Sequence, residues 1–243
     1  MPEGPSMVIL KEEVAAFKGK KVIEVTGNSR IDQSRLLNKK IIDFKTWGKH
    51  FLICFKDFTV RVHFLLFGTY RINESKESPA RLHLGFTNGE LNFYAAAIVI
   101  IDEDLDEVYD WSADVMSDTW NPRSARKKVL AKPDEYACDA LLDQDIFSGV
   151  GNIIKNEVLF RLKIHPLSRV GALPPRLLGE MIRQARIYSF EFLEWKKKFE
   201  LKKHWLAHRQ RICPRDKIPY NIGTLGKRKR KAYYCEQCMK RYD

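Results

Sequence analysis

The chain lacks any apolar run approaching the ~18 residues that a membrane-spanning helix needs, so no membrane span is expected. It also lacks the apolar core of a signal peptide near its start. The expected compartment is therefore the cytoplasm, with nucleoid association if the source is bacterial. Cysteine is sparse: Cys54, Cys138, Cys213, Cys235 and Cys238, an odd number with three near the C-terminus. That usage speaks against a disulfide framework and for reduced thiols and a metal. Internal repeats and long low-complexity linkers are absent. Acids are scarce at one end. Residues 202–243 hold thirteen Lys or Arg against only Asp216, Glu236 and Asp243, ten of the twelve net positive charges. A concentrated basic end is the electrostatic footprint of a polyanion-binding surface. Interleaved Trp205, Tyr220, Tyr233 and Tyr234 argue for a folded module and not a solvated tail.

What is present divides into three stretches. A helix is expected over 6–17, stopped by Gly19. Short β-branched and aromatic runs follow at 21–26, 41–47, 51–55, 59–64, 69–73, 81–86 and 90–94, which implies an antiparallel sandwich or barrel. Helical patterns then take over at 125–130, 140–142, 153–160, 175–188 and 190–199. The segment 211–242 returns to strand-like aromatics between cysteines. The expected fold is α+β, with an N-terminal β-sandwich domain over 1–120, a helical domain over 121–208 and a small cysteine hairpin over 209–243.

The first residues carry unusual chemistry. A small residue after Met1 lets an aminopeptidase remove it, which leaves Pro2 with a free secondary amine. An α-amino group titrates near pH ~8, so a useful fraction is neutral and nucleophilic at neutral pH. Its attack on a sugar or carbonyl carbon gives an iminium ion, an electron sink. Glu3 beside it is a candidate general acid or base. Many chains begin Met-Pro for processing alone, so this motif draws its weight from the rest.

Residues 141–153 read Leu-Leu-Asp-Gln-Asp-Ile-Phe-Ser-Gly-Val-Gly-Asn-Ile. A short helix leads through Gly149, Val150, Gly151 and Asn152 into another. Glycines let the backbone approach a ligand, and the helix N-terminus presents unpaired N–H groups to an anion. Asn152 is expected to cap that helix and to donate to a phosphate. A plain helical corner is the alternative. Further on, Cys235-Glu236-Gln237-Cys238 has the spacing of a metal knuckle. Its partner reads Cys213-Pro214-Arg215-Asp216. Asp216 is one candidate for the fourth ligand and His208 a second; a hairpin held without metal by Tyr233, Tyr234 and Tyr242 is a third possibility.

With Pro2-Glu3-Gly4-Pro5, the 141–152 turn and the cysteine hairpin in this order, the chain resembles the formamidopyrimidine-DNA glycosylase and endonuclease VIII family of base-excision repair enzymes. Gly4 and the absence of an arginine-rich segment at 92–98 resemble the endonuclease VIII branch. Ser6, where that branch tends to have glutamate, is a departure. The resemblance implies a β-sandwich flanked by helices, then a helix–two-turns–helix domain with a C-terminal zinc-finger-like β-hairpin. It implies Pro2 as nucleophile, Glu3 as proton donor and Lys49 as a catalytic contact to the lesion's phosphate. It implies DNA contacts at Leu65, Leu66 and Phe67, which would fill the space left by a flipped base, although for Leu65 ordinary core packing stays open. It implies further DNA contacts at Gly151, Asn152 and Arg230. One structural zinc ion would sit on Cys213, Asp216, Cys235 and Cys238.

The implied activity is that of a bifunctional DNA glycosylase/AP lyase for oxidised bases, mainly pyrimidines, cleaving by β,δ-elimination. Its partner would be damaged double-stranded DNA, with no small-molecule cofactor, and the protein would be a monomer. An oxidised-purine enzyme of formamidopyrimidine type and a non-catalytic damaged-DNA-binding homologue stay open. A tautomerase with an N-terminal proline base is disfavoured by length, the basic C-terminus and the turn motif.

Overall fold

The computed structural model describes residues 2–243; Met1, whose removal the expected chemistry of Pro2 would require, lies outside the described residues. The chain divides into two compact units, the first ending at Tyr109 and the second running from Asp110 to Asp243.

In the first unit, helix α1 (Gly4–Glu13) begins after extended Glu3, with Pro5 in its first turn, where a missing N–H costs nothing. Six strands follow: β1 (Glu24–Thr26), β2 (Asp43–Trp47), β3 (His50–Cys54), β4 (Thr59–Ile72), β5 (Leu82–Phe86) and β6 (Gly89–Ile101). They form one antiparallel sheet in the order β1-β5-β6-β4-β3-β2. Helix α1 packs on β2 and β3, and Met7, Leu10 and Val14 join Phe44, Phe51, Val62 and Phe93 in a single core. The short helix α2 (Leu105–Val108) ends the unit.

The stretches 59–64 and 69–73, expected as separate strands, are one strand, β4, because both pair with β6. Phe64 pairs with Ala96 and Thr69 with Tyr94, so residues 65–68 of β4 face only Ala95. This bulge reads in the sequence as a break. Strand β6 also runs past its expected end at Tyr94. Ala96 and Ile98 point inward while Ala97 and Val99 are exposed, an alternation that a run of alanines disguises.

The second unit holds helices α3 (Pro122–Leu130), α4 (Ala137–Ala140), α5 (Asn152–Arg161) and α6 (Pro175–Lys197), then a hairpin of β7 (Asn221–Leu225) and β8 (Arg230–Tyr234). Helix α6 is continuous where two helices are expected. Ser189 lies at the expected break, but its hydroxyl donates to the Ala185 carbonyl one turn back at 2.7 Å, so this buried serine leaves nothing unsatisfied. The hairpin shares the helices' core: Cys213, Tyr220, Tyr233, Cys235 and Met239 cluster with Leu159, Phe160 and Tyr188. The final residues are laced to 163–169, with Lys240 N–H donating to Lys163 O at 2.8 Å and Arg169 N–H to Tyr242 O at 2.7 Å. The cysteine hairpin, read from the sequence as a module of its own, thus folds within the helical unit. No described helix is long and apolar enough to cross a membrane.

Candidate nucleic-acid interface and metal centre

Pro2 is half-buried, and Glu3 beside it is fully buried. Glu3 is the N-cap residue of α1. Its carbonyl accepts from Ser6 N–H at 2.8 Å, and its side chain makes no capping bond. A buried carboxyl group is expensive unless it is bonded or put to chemical use.

Lys49 lies in the two-residue turn between β2 and β3, closed by the pair Trp47 and His50. Gly48 takes φ +54°, which such turns require at their first central residue. An aromatic cluster supports the turn. The Trp47 and Tyr109 rings lie 4.9 Å apart, His50 meets His63 edge-on at 5.1 Å, and His50 Nδ1 is 3.2 Å from the Tyr109 hydroxyl. Burial, then the neighbouring His63, Arg61 and Lys49, push His50 down to about 3. Burial also lowers His63, opposed by a backbone hydrogen bond at Lys49. Both rings are neutral at neutral pH, so the positive charge here belongs to Lys49 and Arg61.

This sets a pH dependence. An unfolded histidine titrates near ~6.5, so below that value the unfolded chain takes up a proton that folded His50 refuses. The stability contributed by neutral His50 is full above ~6.5 and falls as pH drops toward its folded value, by at most about 1.4 kcal/mol per pH unit. Melting temperature should fall between roughly pH 6.5 and 4.5, and less steeply in His50→Gln. Equal slopes in the two proteins would remove His50 from the account.

Leu65, Leu66 and Phe67 project from the β4 bulge with exposures of 52%, 57% and 82%. Leu65 is therefore not core. Gly68 closes the bulge: a Cβ there would stand 2.7 Å from Phe64 Cβ and 2.8 Å from the Ala95 carbonyl. Three adjacent apolar side chains held in water form a patch of the kind that marks an interaction site.

In the second unit, Gly149 has φ +95°. Gln144 staples the turn, accepting from Gly149 N–H at 3.1 Å and donating to the carbonyls of Leu142 at 2.9 Å and Val150 at 3.1 Å. The expectation that Asn152 caps α5 is corrected. Gly151 takes the extended N-cap position, and Asn152 is the first helical residue with no capping bond. Asn152 Oδ1 is buried without a hydrogen-bond partner, so the amide is not consumed by the fold.

Arg230 opens β8, exposed and opposite Leu225. The turn before it is held by buried Asp139, whose carboxylate accepts from Lys227 N–H at 2.7 Å and Arg228 N–H at 3.0 Å. Fully buried Lys155 donates from Nζ to the Lys231 carbonyl at 2.9 Å, joined by Asn156 Nδ2 at 3.3 Å. Helix α5 thus begins at Asn152 and braces the strand that begins at Arg230, which brings two expected phosphate contacts into one frame. Sequence reasoning missed Asp139, Gln144, Lys155 and Asn156. The available signal was a lysine inside an apolar helix, where it is rarely buried unless paired.

Cys213, Asp216, Cys235 and Cys238 bring their donor atoms within 4.8 Å of one another and could hold a metal ion. A tetrahedral ion with bonds near 2.3 Å to sulfur spaces two sulfurs about 3.8 Å apart and a sulfur–oxygen pair about 3.5 Å apart. Cys213 Sγ lies 3.8 Å from Cys238 Sγ and 3.4 Å from Asp216 Oδ2, and Cys235 Sγ lies 3.1 Å from Asp216 Oδ2, so the donor set fits. Arg215 places Nη1 3.8 Å from Cys238 Sγ and donates to the Phe160 carbonyl at 2.8 Å, which ties the knuckle to α5 and sets a positive charge where it would offset metal-bound thiolates. His208 is not in the cluster. Its ring packs against Trp205 and Tyr233, and its backbone N–H donates to buried Glu157 at 2.7 Å, which pins it to α5.

These features define a class: a β-sheet unit opening on Pro-Glu, followed by a helix–two-turns–helix unit with a cysteine hairpin. The model of the formamidopyrimidine-DNA glycosylase N-terminal domain matches residues 1–96, and that of the formamidopyrimidine-DNA glycosylase H2TH domain matches 113–186. Endonuclease 8-like 3 of Xenopus laevis is 28% identical over 232 residues, covering 90% of this chain and 38% of that protein. The DNA-(apurinic or apyrimidinic site) lyase Nei2 of Mycolicibacterium smegmatis is 27% identical over 196 residues, 76% of each. Lactococcus lactis formamidopyrimidine-DNA glycosylase, solved non-covalently bound to AP-site-containing DNA, shares the fold with a TM-score of 0.85 at 18% identity, over 98% of this chain and 100% of that one. The chain belongs to the formamidopyrimidine-DNA glycosylase and endonuclease VIII family. Its relatives named here carry the endonuclease 8 and Nei2 names, and it spans 34–38% of the length of the endonuclease 8-like 3 proteins.

Proposed function

We propose that this chain is a bifunctional DNA glycosylase/AP lyase of base-excision repair that removes oxidised bases, mainly pyrimidines. The observation that carries the reading is fully buried Glu3 directly beside Pro2 at the head of α1, in a chain of this family. With Met1 removed, the Pro2 nitrogen attacks C1′ of a nucleotide flipped out of the duplex. The glycosidic bond breaks as the C1′–N bond forms, and Glu3 donates its proton to the sugar oxygen as the ring opens. The iminium acidifies the C2′ proton. Its loss expels the 3′ phosphate, and a second elimination expels the 5′ phosphate. Lys49 supplies positive charge to the lesion's phosphate. Leu65, Leu66 and Phe67 fill the gap in the stack. Cys213, Asp216, Cys235 and Cys238 would hold one zinc ion, which would supply folding energy to the hairpin. Borohydride reduction of the iminium, which links protein to lesion DNA covalently, is the direct test.

Two groups of contacts separate by salt. Arg230→Ala should weaken binding to all DNA sequences alike and lower the slope of log K against log salt by about one. Leu66→Ala with Phe67→Ala should slow excision with little change in that slope, because an inserted apolar wedge offsets unstacking that costs a few kcal/mol per step. A sequence-selective loss with unchanged slope for Arg230→Ala would show that it reads bases.

A further inference from the structure

The end of α6 has a feature that the proposed reaction does not use. Residues 195–204 read Trp-Lys-Lys-Lys-Phe-Glu-Leu-Lys-Lys-His. Phe199 is 97% exposed, the highest value among the exposed large apolar side chains described. It sits just past the helix cap at φ +59°, with its N–H donating to the Lys196 carbonyl at 3.0 Å and Glu200 N–H to the Trp195 carbonyl at 2.8 Å. This pair of bonds closes a helix through a left-handed residue, and glycine is the usual occupant because a Cβ is strained there. Phe199 is the one aromatic among the described non-glycine residues with positive φ. Neither backbone ease nor burial accounts for a phenylalanine here, and an outlier of this kind points toward function.

Its surroundings say which function. In sequence, Lys196, Lys197, Lys198, Lys202 and Lys203 flank Phe199, and the one acid between Trp195 and His204, Glu200, pairs with Lys203 at 2.9 Å. The two ends of the knuckle are clamped by Trp195 and His204, whose rings stack at 4.1 Å and 8°. The ring is thus presented on a fixed base, within a lysine-rich segment.

We propose that this knuckle contacts an unpaired nucleic-acid strand, with Phe199 stacked on a base and lysines on the flanking phosphates. Every base has a flat π-face and every linkage a negative charge, so this pairing of aromatic and cations is sequence-tolerant. A duplex keeps its base faces hidden. An acidic protein surface matches the lysines but offers the ring no regular series of flat partners. The proposal rests on the nucleic-acid reading of this family member and adds a contact that its proposed reaction does not need.

The probe is a twelve-nucleotide oligothymidylate carrying one 5-iodouracil, irradiated with the full chain. The crosslink should map to Phe199. In anisotropy titrations Phe199→Ala should weaken binding at least roughly fivefold, the lower end of what one lost base stack costs. Lys198→Gln with Lys202→Gln should reduce the salt slope by about 1.4, or 0.7 per phosphate on a single strand. Phe199→Gly separates strain from function: it should raise the melting temperature by a few degrees and still lose affinity as alanine does. Crosslinks only elsewhere, with unchanged affinity in both Phe199 variants, would overturn the proposal. So would Phe199-dependent binding of polyglutamate without any effect on the oligonucleotide, which would assign the knuckle to an acidic protein. Borohydride trapping on an abasic duplex, run in parallel, should be the same for Phe199→Ala and the parent protein. If the parent fails to trap, the lyase reading falls while the crosslink still decides this one.

Discussion

Borohydride should trap the chain on DNA containing an oxidised pyrimidine or an abasic site, and blocking the Pro2 amine should abolish the trap. Retaining Met1, or acetylating Pro2, removes the nucleophile and leaves the rest of the fold alone. Loss of a covalent nucleophile typically costs roughly 10³-fold or more, because the groups of such a site act as a unit. Pro2→Gly keeps an amine, now primary, and should keep part of the activity. Full trapping by a protein whose mass shows Met1 still attached would rule the mechanism out. Glu3→Gln divides the two reactions. Base removal from an intact nucleotide needs the proton that Glu3 gives to the sugar oxygen, whereas a preformed abasic site already presents an open-chain aldehyde to the amine. The glycosylase rate should therefore fall by roughly 10²–10⁴-fold, the range of general acid catalysis, and the lyase rate much less. Equal losses would contradict the role. Buried Glu3 also heads α1, so a melting curve for Glu3→Gln must accompany the rates.

What the sequence made legible was local. Pro2 with Glu3, the Gly-Val-Gly-Asn turn at 149–152 and the Cys-x-x-Cys knuckle at 235–238 each span only two to four residues, so spacing alone dictates proximity within each. The helices and most strands were legible for the same reason: their periodicity is a short-range property. The frame that holds Arg230 was not. Asp139 and the Lys227 amide it binds are 88 residues apart, and Lys155 and the Lys231 carbonyl are 76 apart. No local pattern announces a buried carboxylate that caps a distant turn. The β4 bulge failed differently. Residues 59–64 and 69–73 look like two strands, and only the register against β6 shows that they are one, with residues 65–68 facing a single residue. Asn152 was misread by one position because Gly151, which is permissive, took the extended place before the helix. Gly226 shows the same dependence on a distant group, since a Cβ there would stand 2.4 Å from Asp139 Oδ2.

Asp216 should make the metal centre weak for its class. Three thiolates and one carboxylate form a donor set that fits a tetrahedral ion, but a carboxylate is a harder ligand than a thiolate and less suited to zinc's borderline-soft character. One zinc per chain is expected by elemental analysis, removable by chelator more readily than from a four-cysteine site. Asp216→Cys should tighten the site by roughly tenfold or more, and Asp216→Ala should loosen it by at least roughly 100-fold, more than the loss of a mere supporting contact. The effect on DNA follows from how β8 is held. Its far end runs into Cys235 and the candidate metal-ligand cluster, while its near end, with Arg230, is fixed by Asp139 and by Lys155 and Asn156 of α5. Stripping the metal releases one end and leaves the other. DNA affinity should therefore fall on chelation, and Asp139→Asn should deepen that loss beyond the sum of the two single effects, since both act on one strand. A preparation free of metal that binds and cleaves lesion DNA normally, with Asp216→Cys no different, would establish that the hairpin holds through its tyrosine core and that Asp216 is a turn residue.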